Sequence, residues 1–283
     1  MKWRIGDVTV TKIVEMEVTG GSRFILPQAT YEAVLPITWL QPHFADERGR
    51  LKMSIHALVV EASGRRFLVD TCLGNDKQGR RIPAWNNLQG PFLADLAASG
   101  FPRESIDTVL CTHLHVDHVG WNTMLADEKW VPTFPNARYL MGRFEFDHWR
   151  GQRERDDMAA VFADSVKPVF DAGLVDLVET GHRVSDEISL VPTLGHTPGH
   201  VSVRIASDGE EALITGDFMH HPCQIARPDW RSAADSDPEQ AQRTRRRMLG
   251  ELADRPVLVI GTHFAGPTAG RIVRDGDAYR LAV

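Results

Sequence analysis

Cysteine is scarce in this chain, with only Cys72, Cys111 and Cys223 among 283 residues. Three scattered thiols are too few for a disulfide framework, so we expect reduced cysteines, with Cys111 buried at a strand end. Long apolar runs are also missing, because none approaches the roughly 20 residues that a helix needs to span a bilayer. The N-terminal stretch MKWRIGDVTVTKIVEMEV alternates polar and apolar residues and lacks the continuous apolar segment of a secretory signal. The sequence therefore predicts an N-terminal strand, no membrane partner and a cytoplasmic location.

Positive charge is in short supply as well, since the formal net charge is -6 at pH 7. Nucleic-acid binding depends on lysine and arginine side chains that neutralise phosphates, so we expect no nucleic-acid partner. The one basic cluster, RTRRR from Arg243 to Arg247, follows a helix-start signal in which Asp237 is the N-cap and Pro238 opens the helix. We interpret this cluster as the solvated face of a helix.

Short apolar segments typical of strands alternate with helical patterns along the chain. The strand-like segments are VTVTKIVEMEV, SIHALVVEA, RFLVD, DTVLC, ARYLM, ISLVPT, VSVRIA, ALITG and PVLVIG, and GRIVRDGDAYRLAV predicts a C-terminal β-hairpin. The helical segments are GPFLADLAASG, SDPEQAQRTRRRMLGELADR and DDMAAVFADSVKPVFDAG, and Pro168 should kink or end the last of these. This mixture predicts an α/β fold with helices layered over sheet.

No linker divides the sequence, so we expect a single domain over residues 1–283. The segment from Gly20 to Lys52 differs from its surroundings because it contains few clear strand or helix patterns and several aromatic residues. Loops of this length inside compact domains tend to be functional. We therefore expect a long loop that covers the site or forms a dimer contact.

The segment CTHLHVDHVGWN, from Cys111 to Asn122, places three histidines and an aspartate within six positions. On an extended backbone His113 and His115 would lie on the same face, because side chains in a strand alternate. A turn after the strand would aim Asp117 and His118 at a nearby position. Imidazole together with carboxylate suits zinc, and manganese, iron and cobalt are alternatives. The segment therefore predicts a metal site.

A metal ion needs more ligands than this segment offers, and three later segments share one pattern. Each consists of an apolar strand, then a glycine, then a side chain that binds metals. They are TLGHTPGH with His196 and His200, LITGD with Asp217, and LVIGTH with His263. We expect these strand ends to supply the remaining ligands.

In the order HLHVDH, GHTPGH, TGD and GTH, these segments resemble the metallo-β-lactamase fold superfamily of hydrolases over the range His113 to His263. FLVDTCLG, from Phe67 to Gly74, is similar to the N-terminal half of that family. The resemblance implies a four-layer αββα sandwich with two metal ions at one edge between the sheets. The implied ligands are His113, His115 and His196 for one metal, Asp117, His118 and His263 for the other, and Asp217 as the bridge.

The resemblance also implies roles for single residues. The family's ligand is the histidine before the Thr-Pro-Gly turn, which is His196 here, so His200 is expected to support the ligands. Asp117 would orient the nucleophile or pass a proton to the leaving group. His220 lies where some lactone-opening relatives carry a tyrosine near the metals, and we assign catalytic roles to Asp117 and His220. A water molecule between two zinc ions would lose a proton near neutral pH, and either ion would polarise the attacked oxygen.

Within the superfamily, the sequence is most similar to the stand-alone lactonases, which include N-acyl-homoserine lactonases and methyl-parathion-type hydrolases. The segments HLHVDHVGW, GHTPGHVSV and GDFMHHPCQIARPDW carry this likeness. The aromatic side chains expected to line an apolar substrate pocket are Trp39, Phe44, Trp85, Trp121 and Phe218. Relatives in this branch are often dimers, and a homodimer stays open by that analogy alone.

The predicted activity is hydrolysis, in which a metal-bridging hydroxide opens a lactone or cleaves a carboxylic ester, with quorum quenching as the associated role. Organophosphate triesters are candidate side substrates. The alternative is an iron-binding oxidoreductase of the same fold that acts on persulfide-like or O2-linked substrates. We do not expect a secreted β-lactamase, a glyoxalase-type thioesterase or a nuclease, because the sequence shows no export signal, helical glutathione domain or basic arm.

Overall fold

The computed structural model describes residues 1–152 and 156–283, which form two compact units. Unit 1 comprises Met1–Glu15 and Ile55–Glu179, and unit 2 comprises Met16–Ser54 and Thr180–Val283. The single domain expected over the whole chain stays a prediction. Across the described ranges, no helix is both long and apolar enough to cross a membrane.

Strands are present in both units. They are β1 (Lys2–Ile5), β2 (Val8–Thr19), β3 (Lys52–Ala62), β4 (Arg65–Val69), β5 (Thr108–Leu110), β6 (Thr123–Ala126), β7 (Lys129–Pro132), β8 (Arg138–Gly142), β9 (Val175–Val178), β10 (Ile188–Pro192), β11 (Val201–Ser207), β12 (Glu210–Ile214), β13 (Val257–Ile260), β14 (Ala269–Asp275) and β15 (Ala278–Ala282). Every strand-like segment of the sequence overlaps one of them, and the predicted C-terminal hairpin is confirmed as β14 and β15.

The α-helices range from 4 to 15 residues in length. They are α1 (Tyr31–Val34), α2 (Phe92–Ala98), α3 (Val116–Val119), α4 (Arg143–Gly151), α5 (Asp156–Val161), α6 (Lys167–Asp171), α7 (Cys223–Ala226) and α8 (Pro238–Leu252). A π-helical turn, Phe162–Val166, separates α5 from α6, and Pro168 lies in the first turn of α6, where its missing N–H costs no hydrogen bond. The helix does not end at Pro168, because α6 continues to Asp171, and a kink at Pro168 stays a prediction.

Unit 1 is built on a seven-stranded sheet with the order β1-β2-β3-β4-β5-β8-β9, beside a two-stranded β6-β7 hairpin. The strands β4, β5, β8 and β9 run parallel, and Val69 at the end of β4 lies opposite Leu110 at the end of β5. Parallel neighbours end at the same edge of a sheet. The segments that follow β4 and β5 therefore begin side by side.

Unit 2 is built on a six-stranded sheet with the order β10-β11-β12-β13-β14-β15. The strands β12 and β13 are parallel, with Ile214 opposite Ile260, while β11 is antiparallel to β12, with Val203 opposite Ile214. The end of β10, the start of β11 and the ends of β12 and β13 consequently share one edge. All three later candidate ligand segments start there.

The segment from Gly20 to Lys52, predicted as a long loop, contributes α1 and two short 3-10 helices to unit 2. Its apolar side chains Leu26, Leu40 and Phe44 are 0–1% exposed and belong to the core of that unit. Burial of this kind stabilises the segment by the removal of apolar area from water. Its role over the site or in a dimer stays a prediction.

The prediction that the basic cluster is a solvated face is wrong for Arg245, whose side chain is 0% exposed, whereas Arg243, Arg246 and Arg247 are 48–62% exposed. The reason is helical spacing. Residues that recur at i, i+4, i+7 and i+11 share one face of a helix. On α8 these are Ala241, Arg245, Met248 and Leu252, and all four are buried.

All three cysteines are buried. The thiols of Cys72, Cys111 and Cys223 are free and 0–2% exposed, which confirms the predicted burial of Cys111 at the end of β5.

Unit 1 also contains a buried lysine. The Lys77 ammonium group donates to Thr123 Oγ1 at 2.6 Å and lies 3.6 Å from the centroid of the Trp130 ring. Burial lowers the pKa of Lys77 to about 7, against the opposing charge of Asp164.

Candidate metal centre

In unit 1, the ligand candidates of HLHVDH lie on the connection between β5 and α3. The prediction of an extended strand through His113 and His115 is wrong, because β5 ends at Leu110 and His115 is the N-cap of α3. Even so, the side chains gather: the ring centroid of His113 lies 4.8 Å from that of His115 and 4.0 Å from that of His118. His118 Nε2 lies 3.8 Å from Asp117 Oδ1.

Asp70, directly after β4, holds this connection in place. Its Oδ1 accepts a hydrogen bond from the Thr112 backbone N–H at 2.8 Å, and its Oδ2 lies 2.9 Å from Nδ1 of His118. Both side chains are buried. Because a carboxylate can only accept, Nδ1 carries the proton when the His118 ring is neutral, and Nε2 keeps its lone pair.

Helix α4 supports the same connection from another side. Glu145 Oε1 accepts hydrogen bonds from the Leu114 backbone N–H at 3.2 Å and from Trp149 Nε1 at 2.6 Å. The Trp149 ring in turn lies 5.3 Å, centroid to centroid, from the ring of His115. Glu145 therefore fixes the backbone between His113 and His115, and Trp149 packs beside the ring of His115.

The glycine of the segment VDHVGW is required by close packing. A Cβ on Gly120 would lie 1.8 Å from the carbonyl oxygen of Leu73. The next residue, Trp121, donates from Nε1 to Glu15 at 2.7 Å and stacks on Phe92 with centroids 5.7 Å apart. Burial raises the pKa of Glu15, and hydrogen bonds from Leu73, Trp121 and Gly74 oppose the shift.

In unit 2, three imidazoles converge on the carboxylate of Asp217. The Nε2 atoms of His196, His220 and His263 lie 3.5, 3.3 and 3.3 Å from its Oδ2 atom. All four side chains are at most 5% exposed. The ligand atoms of His196, Asp217 and His220 also lie within 4.8 Å of one another.

Two of these imidazoles are held through Nδ1. Nδ1 of His196 lies 3.0 Å from Asp235 Oδ1, and Nδ1 of His263 lies 3.1 Å from the carbonyl oxygen of Ser54. Both partners only accept hydrogen bonds, so in the neutral rings Nε2 presents a lone pair towards the carboxylate oxygen of Asp217. Two acceptors that face each other are stabilised by a shared cation. Imidazole nitrogen with carboxylate oxygen is a donor set that fits a divalent metal.

His200 supports Asp217 through the backbone. Its Nε2 accepts a hydrogen bond from the Asp217 N–H at 2.7 Å, and its Nδ1 lies 2.8 Å from Thr193 Oγ1. Gly216 makes room for this ring, since a Cβ there would lie 2.6 Å from Nε2 of His200, and its φ of +58° also favours glycine. The glycine before Asp217 therefore has a packing role.

His220 differs from His196 and His263 in the environment of its Nδ1 atom. Its Nδ1 is buried and has no hydrogen-bond partner within residues 1–152 and 156–283, while Nε2 lies 3.5 Å from Ser232 Oγ. Burial lowers the pKa of His220 to about 3, with the charge of Asp217 opposing the shift. The ring is therefore neutral at physiological pH.

His221 has a structural environment instead. Its Nε2 lies 2.8 Å from the carbonyl oxygen of Phe44, and its Nδ1 accepts from the Cys223 N–H at 3.0 Å. Its ring packs edge-on against Phe44, and burial lowers its pKa to about 4. Both ring nitrogens are thus engaged with the backbone.

The predicted pocket aromatics occupy different environments. In unit 2, Phe44 and Phe218 are 1% exposed within the core, and Trp39 is half-buried against it. In unit 1, Trp121 is buried and Trp85 is half-buried in a short 3-10 helix. Their assignment as substrate contacts stays a prediction.

Sequence reasoning missed the residues that hold the ligands, namely Asp70, Glu145 and Asp235. Asp70 carried a usable signal, because it directly follows the apolar strand segment RFLV within FLVDTCLG. Asp235 lies in the polar segment SAADSD and has no such context. Its contact with His196 joins residues 39 positions apart and depends on the fold.

The family model of the metallo-beta-lactamase superfamily matches residues 52–263. That range contains all four motif segments from His113 to His263. The chain therefore belongs to the metallo-beta-lactamase superfamily, and the resemblance and mixed α/β fold class predicted from its sequence are confirmed.

One curated protein matches part of this chain at low sequence identity. Probable metallo-hydrolase YflN from Bacillus subtilis (strain 168) is 26% identical over 158 residues, which cover 46% of this chain and 58% of the relative. The match thus spans less than two thirds of that curated relative's length.

Two solved structures share the fold. Hydrolase AbOPH of the beta lactamase superfamily has a TM-score of 0.81 and 24% identity, covering 100% of this chain and 96% of that chain. AidC, a dizinc quorum-quenching lactonase in complex with a product, has a TM-score of 0.81 and 20% identity, covering 99% and 96%. At such identities the likeness establishes the fold alone.

Proposed function

We propose that this chain is a metal-dependent hydrolase that opens a lactone or cleaves a carboxylic ester, with two zinc ions as cofactors. The observation that carries the proposal is the arrangement around Asp217, where the Nε2 atoms of three buried imidazoles approach one carboxylate oxygen within 3.5 Å. Membership of the superfamily supports metal binding, and the description of AidC as a dizinc lactonase supports zinc and lactones. Quorum quenching is the corresponding biological role.

The proposed ligands follow the family pattern in both units. One zinc ion is assigned to His113, His115 and His196, the other to Asp117, His118 and His263, and Asp217 is assigned to both. When bound, a zinc pair lowers the pKa of water and polarises the attacked carbonyl group. Manganese, iron and cobalt accept the same donors, so the metal in the cell is a matter for measurement.

The chain's own side chains supply the remaining chemistry. Asp117 lies in the first turn of α3 and is partly exposed, with its side chain 17% accessible, so its carboxylate could take a proton from the attacking water and pass that proton to the leaving group. His220 is neutral because burial lowers its pKa to about 3, and a neutral imidazole can donate a hydrogen bond to a substrate oxygen. We assign the expected aromatic pocket to acyl or aryl groups of the substrate.

The test is an assay of the zinc-loaded protein against acyl-homoserine lactones, aryl esters and methyl parathion, together with metal analysis. We expect lactone turnover and about two zinc ions per chain, as a dinuclear hydrolytic site requires. Failure to turn over any member of this panel would remove the substrate assignment. One iron ion per chain with oxygen uptake would instead favour an oxidoreductase. The cytoplasmic location and the homodimer remain predictions.

A further inference from the structure

Helix α8 carries one arginine that behaves unlike its neighbours. The Arg245 side chain is 0% exposed, although Arg246, next to it, is 59% exposed and pairs with Asp229 at 2.5 Å. Burial of a guanidinium group is costly unless its donors and charge find partners. The partners of Arg245 therefore indicate what it does.

Arg245 binds the chain segment that follows Asp217. Its Nε donates to the carbonyl oxygen of Phe218 at 2.9 Å, directly after the carboxylate. Its Nη1 donates to the carbonyl oxygens of Pro228 and Trp230 at 2.9 and 2.8 Å. One rigid, planar group thus joins both ends of the segment 218–230 to α8.

The remaining nitrogen of Arg245 faces Asp235. Nη2 is buried, lies 4.0 Å from Asp235 Oδ2 and has no hydrogen-bond partner within the described part of unit 2. Asp235 Oδ2 also accepts from the Ser232 N–H at 3.0 Å, and Asp235 Oδ1 lies 3.0 Å from Nδ1 of His196. A buried cation, a buried carboxylate and the candidate ligand therefore stand in series.

We propose that Arg245 is a positioning residue for metal binding, which acts through Asp235 to fix the ring of His196 and through Phe218 to fix the backbone beside Asp217. The inference rests on the proposed function, because it assumes that His196 and Asp217 hold metal. Partners one step beyond the ligands orient imidazole rings and raise their basicity. Arg245 would exert this control from α8, which supplies no ligand itself.

The test compares the full-length wild-type protein with Arg245→Met, Asp235→Asn, the double variant of these two and, as a matched control on the same helix, Arg246→Met. Zinc affinity is measured by competition with a coloured chelator, and site geometry by the visible spectrum of the Co(II)-loaded protein. We expect Arg245→Met and Asp235→Asn each to weaken zinc binding about 10–100-fold and to alter the Co(II) spectrum. The double variant should lose less than the product of the two single losses, because the residues act in series. Arg246→Met should match the wild type.

Thermal unfolding of the metal-free proteins separates positioning from simple structural support. An Arg245→Met protein that is less stable without metal, yet keeps wild-type zinc affinity and an unchanged Co(II) spectrum, overturns the inference and leaves the proposed function intact. If Arg245→Met does not fold, Asp235→Asn is introduced into wild type and into Arg245→Gln, which keeps polar donors but removes the charge. Equal losses in both backgrounds overturn the coupling, and a smaller loss in Arg245→Gln supports it. If the wild-type chain binds neither zinc nor cobalt, the proposed function itself is wrong.

Discussion

Histidine ring orientation is the residue-scale property on which metal binding by this chain depends. The carboxylate of Asp70 faces Nδ1 of His118, and the carbonyl oxygen of Ser54 faces Nδ1 of His263. Each acceptor stabilises the tautomer in which Nε2 can bind a metal. The folded chain therefore fixes Nε2 as the metal-binding atom before an ion binds, so the side chains lose less conformational entropy on metal binding.

Asp217→Asn removes the negative charge on which three imidazoles converge while it keeps the size of the side chain. We expect kcat for the best substrate to fall at least about 100-fold, since loss of a partner one step from the metal already costs about 10–100-fold. Metal content by mass spectrometry should fall with it. Asp208→Asn, the same change in an exposed turn, is the control. Full activity in Asp217→Asn would show that this carboxylate is not the bridge.

Lys77→Met tests the buried ammonium group of unit 1. Burial lowers the pKa of Lys77 from 10.5 to about 7, so between these values the unfolded chain binds one more proton than the native chain. Stability must then rise with pH in this range, by at most about 1.4 kcal/mol per pH unit, and must be lowest below the native pKa. The variant should lack this rise in urea unfolding at about pH 7 and about pH 9, while the exposed control Lys129→Met should keep it. Parallel pH profiles for wild type and Lys77→Met would contradict the shift.

At the scale of elements, helix α8 begins with a side-chain cap that its sequence predicted. Asp237 Oδ1 accepts from the Gln240 N–H at 2.9 Å, and Pro238 occupies the first turn. We expect Asp237→Ala to lower the free energy of unfolding by about 1 kcal/mol, and Asp237→Ser to retain most of it because serine also caps. Urea denaturation of the three proteins provides the measurement. Identical loss in both variants would mean that the charge near the helix start, rather than the cap, stabilises α8.

Element prediction succeeded where local patterns decide the structure and failed where packing decides it. The β-branched segments around β3, β10 and β13 are apolar enough to be recognised as strands from sequence alone. The hairpin of β6 and β7 was missed, because TMLADEKWVP has acidic turn residues and only four residues in each strand. The segment from Gly20 to Lys52 was read as a loop because its helices have three or four residues, and their burial depends on contacts distant in sequence.

The sequence could predict which types of side chain form the candidate site, but not the hydrogen bonds that hold those side chains in place. Ligand candidates stand out because a strand end is followed by glycine and then by histidine or aspartate, a local signal. The residues that fix them, such as Glu145 and Asp235, lie 31 and 39 positions from their partners and look like ordinary polar residues. Arg245 was misread for a different reason, because its helical spacing from Ala241 and Met248 places it on the apolar face of α8, and the charge of the cluster obscured that spacing.

At the scale of the whole molecule, metal binding and folding are linked. An ion that binds the native chain and not the unfolded chain stabilises it by about 2.7 kcal/mol when its free concentration is a hundredfold above Kd. We expect chelator-treated protein to unfold at a lower Tm than zinc-loaded protein, and Tm to rise with added zinc. Scanning calorimetry at several zinc concentrations measures the effect. A Tm that zinc leaves unchanged would contradict native-state metal binding.

The three buried thiols can be used to measure local opening of the folded structure. An alkylating reagent can reach Cys72, Cys111 or Cys223 only when the surrounding structure opens, since each is at most 2% exposed. Cys72 and Cys111 belong to unit 1 and Cys223 to unit 2. Peptide mass spectrometry of alkylated protein would therefore measure the rate of local opening in each unit separately, with no dye or engineered label.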